Sequence, residues 1–387
     1  MRMEAGAHGQ TQGAAGAAAS ELACMLRDLE ALVEVESPSD DKAAVARSAS
    51  TVARVGEAHL GVAPELIDHD SWTHVRWRLG PDRKPGVLLL GHHDTVWPFG
   101  SLASRPFSVE GDVARGPGCF DMLAGLAQMF HVSRALGAGV PHTLLVTGDE
   151  ELGSPSSRAL IEAEAVRHLA TLVFEPSAEG GHLKLGRKGV ARYHVHIRGR
   201  AAHAGLEPER GVNATLELAA HAQWLASLSR AEIGTSVTPT TARSGTSSNT
   251  VPATAHLSVD VRARTLAELA RVDQAVSARR PVLPGAEVTF VGGLDRPPLE
   301  ESMSGGLFQL AREAATAVGM GELEGSSVGG ASDGNLTAAA GCPTLDGLGA
   351  VGGGAHADDE HVDVSQMVPR TALATEIARR VLDDVDR

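Results

Sequence analysis

The chain has 387 residues, 43% of them hydrophobic and 21% charged; this is the usage of a globular protein of two or three domains and excludes a disordered chain. Its net charge of −14 argues against a polyanionic partner such as DNA or RNA, because counterion release needs clustered Lys and Arg. Three dispersed cysteines, Cys24, Cys119 and Cys342, form no CxxC pair, which argues against a disulfide scaffold or a Cys-rich zinc site, and no run of about 18 apolar residues offers a membrane span.

Up to Ser20 the chain is rich in Ala and Gly, with Glu4, His8, Gln10 and Gln12 where a signal peptide needs an apolar stretch. It reads as the loose tail of a cytoplasmic protein. Ser20 is expected to cap a first helix carrying Leu22, Met25, Leu26, Leu29 and Val33 at helical spacing. A second helix is expected over about 41–60. Alternation of Val75, Trp77 and Leu79 predicts a strand over 72–79, and the apolar run 87–90, stopped by Gly91, predicts a buried one. A helix over about 121–136, a strand over 142–146, a short helix and a strand over 172–174 follow. Strands alternating with helices imply an α/β fold with a doubly wound, mainly parallel sheet.

Near Arg187 the texture changes. Val190, Tyr193, Val195 and Ile197 alternate, a long helix fits 211–228, and Thr/Ser/Val-rich strands flank 244–252. A helix from Leu266 and a strand over 288–291 complete a β-α-β-β-α-β order, the split βαβ or ferredoxin-like arrangement. Helix–strand alternation then resumes, ending in a helix over 368–382. The expected organisation is a discontinuous domain, 1–187 and 294–387, with an α+β domain, 188–293, inserted in it. No internal repeat is visible.

Polar residues gather where the apolar strands end. Gly91 to Val96 contains His92 and Asp94, which point to one side of an extended segment, and a carboxylate two residues from an imidazole can orient it for metal ligation. Gly116, Pro117 and Gly118 allow close backbone approach before Asp121. Asp149, Glu150 and Glu151 follow another strand and repel one another unless cations or protons neutralise them. Glu175 ends a third strand, and His356 follows the glycines 352–354. Each feature alone has a plain reading: a solvated turn, a helix-start carboxylate, an acidic loop, one of 17 histidines. Together, two His and several carboxylates suit a two-metal site with mixed N/O donors, in which two ions roughly 3.5–4 Å apart share a water.

Over about 20–385 the chain resembles the di-zinc exopeptidase and deacylase family that includes glutamate carboxypeptidase, aminoacylase, acetylornithine deacetylase and succinyl-diaminopimelate desuccinylase. The motifs are H-x-D-T-V at His92 to Val96, G-P-G-x-x-D-M at Gly116 to Met122, E-E-x-G-S at Glu150 to Ser154, F-E-P at Phe174 to Pro176, and the late His356. Arg187, Lys188 and Gly189 and the wording of the first motif look most like the glutamate carboxypeptidase branch. The resemblance implies that Asp121 bridges two Zn2+ (Co2+ or Mn2+ as substitutes), with His92 and Glu175 on one ion and Glu151 and His356 on the other. It implies that Asp94 orients His92, that Glu150 is the general base, and that the peptide after Asp121 is cis. For the inserted domain it implies a lid and dimerisation role, with His203 at the oxyanion and Asn249 near the substrate carbonyl. Arg262 and the backbone at Gly330 and Ser332 would then hold the substrate carboxylate. Without the resemblance, Arg262 reads as a surface charge and 329–333 as a plain connection. The family usually continues D-M-K, whereas here Leu123 follows Met122, an apolar side chain where a cation is usual.

The expected activity is hydrolysis of an amide beside a free carboxylate in a small peptide, by a homodimer joined through the inserted domain. An N-acyl-amino-acid deacylase would use the same residues, and the motifs do not separate the two. A non-catalytic binding protein on this scaffold is the rival of another class; the presence of Glu150 argues against it, because binding alone needs no base. The G-x-G-x-x-G at 347–352 is a weak dinucleotide fingerprint, since Gly353 and Gly354 follow where a helix should start.

Overall fold

The computed structural model describes residues 5–81 and 84–383. Helix α1 runs Ala5–Val33. The expected tail is therefore helical from Ala5, while its first four residues lie outside the described ones, and Ser20 sits within the helix rather than capping it. Alanine has the highest helix propensity, which outweighs the scattered glycines. Helix α2, Lys42–Leu60, is capped by the Asp41 side chain and ends at Gly61 in the left-handed region (φ 66°). Strand β1, Glu65–His69, was not foreseen; it is exposed apart from the half-buried Ile67 and so carries no apolar period. Then come β2 (Trp72–Leu79), β3 (Val87–His92), α3 (Ala124–Leu136), β4 (His142–Thr147), α4 (Arg158–Ala165) and β5 (Ala170–Val173). Helix α3 starts three residues later than expected: Asp121 and Met122 have non-helical angles within a wide turn, and their peptide bond is cis.

The chain divides into two compact units, one comprising Gly186–Glu300 with 329–331 and the other the remainder. The former contains β6 (Gly189–Arg198), α5 (Ala214–Ala226), β7 (Ser236–Ser244), β8 (Thr254–Ala263), α6 (Leu266–Ala278) and β9 (Glu287–Arg296). This is the β-α-β-β-α-β order, in an antiparallel sheet ordered β7-β8-β6-β9. Along β6, Ala191, Tyr193, Val195 and Ile197 are buried and the intervening residues exposed, as one covered face requires.

In the other unit the chain continues through α7 (Glu301–Ala317), α8 (Asp333–Ala339), β10 (Thr344–Leu345) and α9 (Met367–Asp383). Its sheet is ordered β1-β2-β4-β3-β5-β10. The last four of these strands are parallel, while β1 and β2 join antiparallel. Both faces are covered. Val87 and Leu89 belong to the core shared with Leu29, Val52, Phe130 and Ile377, and Leu88 and Leu90 to a second with Ile161 and Leu336. A strand buried on both sides reads as an unbroken apolar run, which is why 87–90 stood out. Because β4 and β5 flank β3 on opposite sides, the order in which strands are added reverses there, and the crevice beyond the carboxyl ends of such strands is where open α/β sheets hold ligands. Among the described residues, no helix is long and apolar enough to cross a membrane.

Candidate metal centre

His92 is the last residue of β3 and is buried. Its Nδ1 lies 3.0 Å from the Asp94 backbone carbonyl and 3.5 Å from Asp94 Oδ1. A proton on Nδ1 satisfies that carbonyl and leaves Nε2 as the donor turned to the crevice. Nε2 stands 3.5 Å from Asp121 Oδ1 and 3.5 Å from Glu175 Oε1. The Asp94 carboxylate has further work: it accepts the N–H of Glu150 at 3.2 Å and of Glu151 at 3.1 Å. It thereby holds the start of the short helical turn Glu150–Leu152, and with it the two acids beyond β4.

The three consecutive acids divide. Asp149 turns inward, accepting the N–H and hydroxyl groups of Ser156 and Ser157. Glu150 and Glu151 face the crevice: Glu150 groups with His92 and Glu175, and Glu151 with His92 and Asp121, each set with donor atoms within 4.8 Å of one another. From the far end of the chain His356, itself in the left-handed region (φ 60°), brings Nε2 to 3.1 Å from Glu151 Oε1 and 3.4 Å from Asp121 Oδ2. The two oxygens of Asp121 thus face two different histidines.

The electrostatics follow from so many acids in one crevice. Burial works to lower His92, but hydrogen bonds with Asp121, Asp94 and Glu175 outweigh it and raise the ring well above its usual range. Asp121 and Glu151 raise His356 to about 10. Burial works to raise Asp121 and Asp94; histidine partners overcome it, and both end below the usual carboxylate range. Burial, with Asp121 nearby, raises Glu151. Imidazoles driven to take protons and a carboxylate driven to keep one mark a site short of positive charge. Two N donors and four carboxylates, one of them (Asp121) facing both histidines, fit divalent cations.

Three residues that sequence reasoning missed shape this site. Glu360 is buried and accepts the N–H of Gly118 (2.8 Å), Phe120 (2.9 Å) and Asp121 (3.0 Å) and the indole N–H of Trp97 (2.8 Å). These bonds hold 118–121 in a loop ahead of α3. Lys184 Nζ lies 3.9 Å from Glu175 Oε2. Asp333, at the start of α8, accepts the hydroxyls of Thr147 and Ser154. Glu360 and Asp333 lie more than 170 positions from the motifs they serve, and no local pattern signals them; Lys184 is nine positions from Glu175, on a strand whose sequence gives it no distinguishing pattern. Gly125 is a close approach: a Cβ there would lie 2.0 Å from the Phe174 carbonyl oxygen, next to Glu175.

The remaining expected residues are not among the donors just described. In the second unit, Ala204 N bonds Asn249 O at 2.9 Å and His203 bridges Thr250, so those two motifs are neighbours. Arg262 stands on β8, with Nε 2.9 Å from Asp260 Oδ1. The Gly330 carbonyl accepts from Arg187. Ser332 caps α8; its N–H is given to Asn335 and its hydroxyl to Asp346. Leu123 is buried in the larger core.

Residues 88–380 match Peptidase family M20/M25/M40. Carboxypeptidase G2 of Pseudomonas sp. (strain RS-16) is 33% identical over 395 positions, covering 95% of this chain and 91% of that protein. Among solved structures, the aminopeptidase PepT of Bacillus cereus ATCC 10987 aligns with a TM-score of 0.75 at 22% identity, covering 93% of this chain and 98% of that one. An M20 family metallo-carboxypeptidase of Sulfolobus solfataricus aligns with a TM-score of 0.68 at 16% identity, covering 94% and 99%.

Proposed function

The chain belongs to peptidase family M20/M25/M40 and is a metal-dependent hydrolase, and from that premise we propose that it is a two-zinc exopeptidase of the glutamate carboxypeptidase kind. Its substrate is a small peptide, cut at the amide beside a free carboxylate. The observation that carries this reading is Asp121, whose Oδ1 and Oδ2 face His92 and His356 at 3.5 Å and 3.4 Å. A carboxylate so placed suits a bridge between two cations. His92 and Glu175 complete one set of donors, and Glu151 and His356 the other; zinc favours such mixed N/O sets, and Co2+ or Mn2+ would occupy the same donors. Zinc held there supplies Lewis-acid polarisation of the scissile carbonyl and a water acidified to a pKa of about 7.

The chain's own residues do the rest. The Glu150 carboxylate takes the water proton and then delivers it to the leaving amine, a role worth roughly 10²–10⁴-fold. Asp94 fixes the backbone from which Glu150 and Glu151 project. On the resemblance of their motifs we assign His203 to the oxyanion, Asn249 to the substrate near its carbonyl, and Arg262, as a bidentate guanidinium, to the substrate carboxylate. Gly330 is the better candidate for a backbone contact than Ser332, whose N–H and hydroxyl are already engaged. We also propose a homodimer through the 188–293 domain, and a cytoplasmic setting in which the three free thiols stay reduced. Light scattering that gives a monomer mass for the fully active enzyme overturns the dimer.

Two experiments test the reading. Glu150→Gln is expected to keep its metal content and thermal midpoint while kcat falls by about 10²-fold or more; near-normal turnover rejects the base. A panel of C-terminal amino-acid peptides and N-acyl amino acids, assayed with zinc-loaded enzyme, is expected to show release from the peptides. Release confined to N-acyl amino acids transfers the assignment to a deacylase, and no release with metal bound points to a binding protein.

A further inference from the structure

Helices α1, α2 and α3 bring a second set of donors together, sharing no residue with the centre described above. The Cys24 thiol, an Asp28 oxygen and ring nitrogens of His59 and His131 all lie within 4.8 Å of one another. The set is half-buried to buried, with the His131 side chain fully enclosed. Asp28 Oδ2 is the common vertex, 2.8 Å from His59 Nε2 and 2.9 Å from His131 Nε2. We propose that Cys24, Asp28, His59 and His131 form a single-ion, zinc-type site that ties the three helices together.

Three physical arguments support it. The donor set is right: one thiolate, one carboxylate and two imidazoles are four protein ligands, which is how closed structural zinc sites are built. The spacing is close: bonds of roughly 2.0–2.3 Å in a tetrahedron put donors roughly 3.3–3.8 Å apart, and here the donors lie within 4.8 Å of one another with two contacts shorter, at 2.8 and 2.9 Å. A shift of a few tenths of an ångström opens the two short contacts. The surroundings are right as well. His131 Nδ1 lies 2.6 Å from Glu21 Oε1, and Glu21 is held in turn by Arg134. A carboxylate behind a ligating imidazole fixes its tautomer and strengthens its donor nitrogen. With the Nδ1 proton directed at Glu21, His131 Nε2 faces the Asp28 oxygen either through a second ring proton or across a bound cation, and the proposed site is the second case. Arg134 also approaches His131 Nδ1 (3.2 Å) and His59 Nδ1 (3.4 Å) from outside the set. Four protein ligands leave no open position, so the role is structural rather than catalytic.

The test uses the full chain, stripped of metal and reloaded with Co2+ or Zn2+ alone. Thiolate ligation gives cobalt a near-ultraviolet charge-transfer band, which donors without sulfur cannot produce. The band is expected in the wild type and absent in Cys24→Ala, which binds one metal ion fewer per chain at unchanged kcat. Independently of any variant, Zn2+ is expected to slow alkylation of Cys24, followed by mass spectrometry, by about tenfold or more. Equal metal content in both proteins with no Cys24-dependent band, or an alkylation rate indifferent to Zn2+, overturns the proposal and leaves a hydrogen-bonded His–Asp–His cluster. The result is separable from the function proposed above, because neither the cobalt–thiolate band nor the Cys24 alkylation rate involves hydrolysis or the donors around Asp121.

Discussion

Glu360→Gln tests whether the loop carrying Asp121 is positioned by a carboxylate with no role in the chemistry. In the native protein Oε1 accepts from Phe120 and Asp121, and Oε2 from Gly118 and the Trp97 indole. Glutamine has the same shape but a single acceptor oxygen. Whichever way its amide is turned, two of these N–H groups meet another donor instead of an acceptor. A buried donor left unpaired costs about 1–3 kcal/mol, so the substitution costs about 2–6 kcal/mol, comparable with the whole margin of a typical fold. The chain relieves this by letting the 116–121 loop move away, which carries Asp121 with it. Displacement of a working group by about 1 Å is worth roughly 10²-fold in rate, and loss of a residue that orients a ligand costs about 10–100-fold in metal affinity. The assay measures kcat/KM at saturating zinc, zinc affinity against a competing chelator, and the urea midpoint. All three are expected to fall in Glu360→Gln, with Glu360→Asp recovering part of each because it restores both acceptors. Wild-type kcat/KM and zinc affinity in Glu360→Gln would refute the reasoning.

Other predictions follow from the same contacts. Gly125→Ala should gain about 1 kcal/mol of helix propensity, yet its Cβ would stand 2.0 Å from the Phe174 carbonyl oxygen; a lower thermal midpoint and weaker metal binding through Glu175 are expected, and a stabilised, fully active variant contradicts this. Chelation should abolish hydrolysis and zinc restore it, with the fold unchanged by circular dichroism; activity that survives exhaustive chelation counts against the metal centre. Burial lowers the pKa of His74 and His142, whose rings are satisfied as neutral partners of Gly148 and Ser156 and of Val140 and Ser133. The unfolded chain takes up these protons near pH 6.5 and the folded one only at lower pH, so this stability is complete above about 6.5 and drains away on acidification. The slope approaches about 1.4 kcal/mol per pH unit for each ring. Urea midpoints from about pH 7.5 to 5 should fall accordingly, less steeply in His142→Gln; equal slopes would reject that assignment.

What the sequence made legible was what short-range periodicity encodes. The run 87–90 is apolar because β3 is covered on both faces, and the alternation along 190–197 reflects a sheet covered on one. Turns rich in glycine and acid at strand ends were visible for the same reason: parallel strands deliver their carboxyl ends to one edge, so His92, Glu150, Glu151 and Glu175 converge without further instruction. Periodicity could not say which of Asp149, Glu150 and Glu151 turns inward. That is decided by the Ser156 and Ser157 donors, which lie on the far side of a tight turn. Nor could it place β1, whose side chains face solvent and need no pattern, or the helical start of α1, where composition rather than spacing controls the backbone.

Leu123 shows how a departure from a motif is resolved in three dimensions. Read along the chain, an apolar residue where the resemblance leads one to expect a cation removes positive charge from beside Asp121. In the folded protein Leu123 lies in the core against α3, where a lysine would have to be desolvated, so the apolar residue suits its surroundings. Positive charge reaches the crevice from elsewhere: Lys184 stands 3.9 Å from Glu175 and contributes to holding Asp121 below its ordinary range. A cation at this distance offsets part of the carboxylate repulsion. The balance of charge in such a crevice is set by the fold as a whole, and a single motif position can change as long as another element supplies the charge.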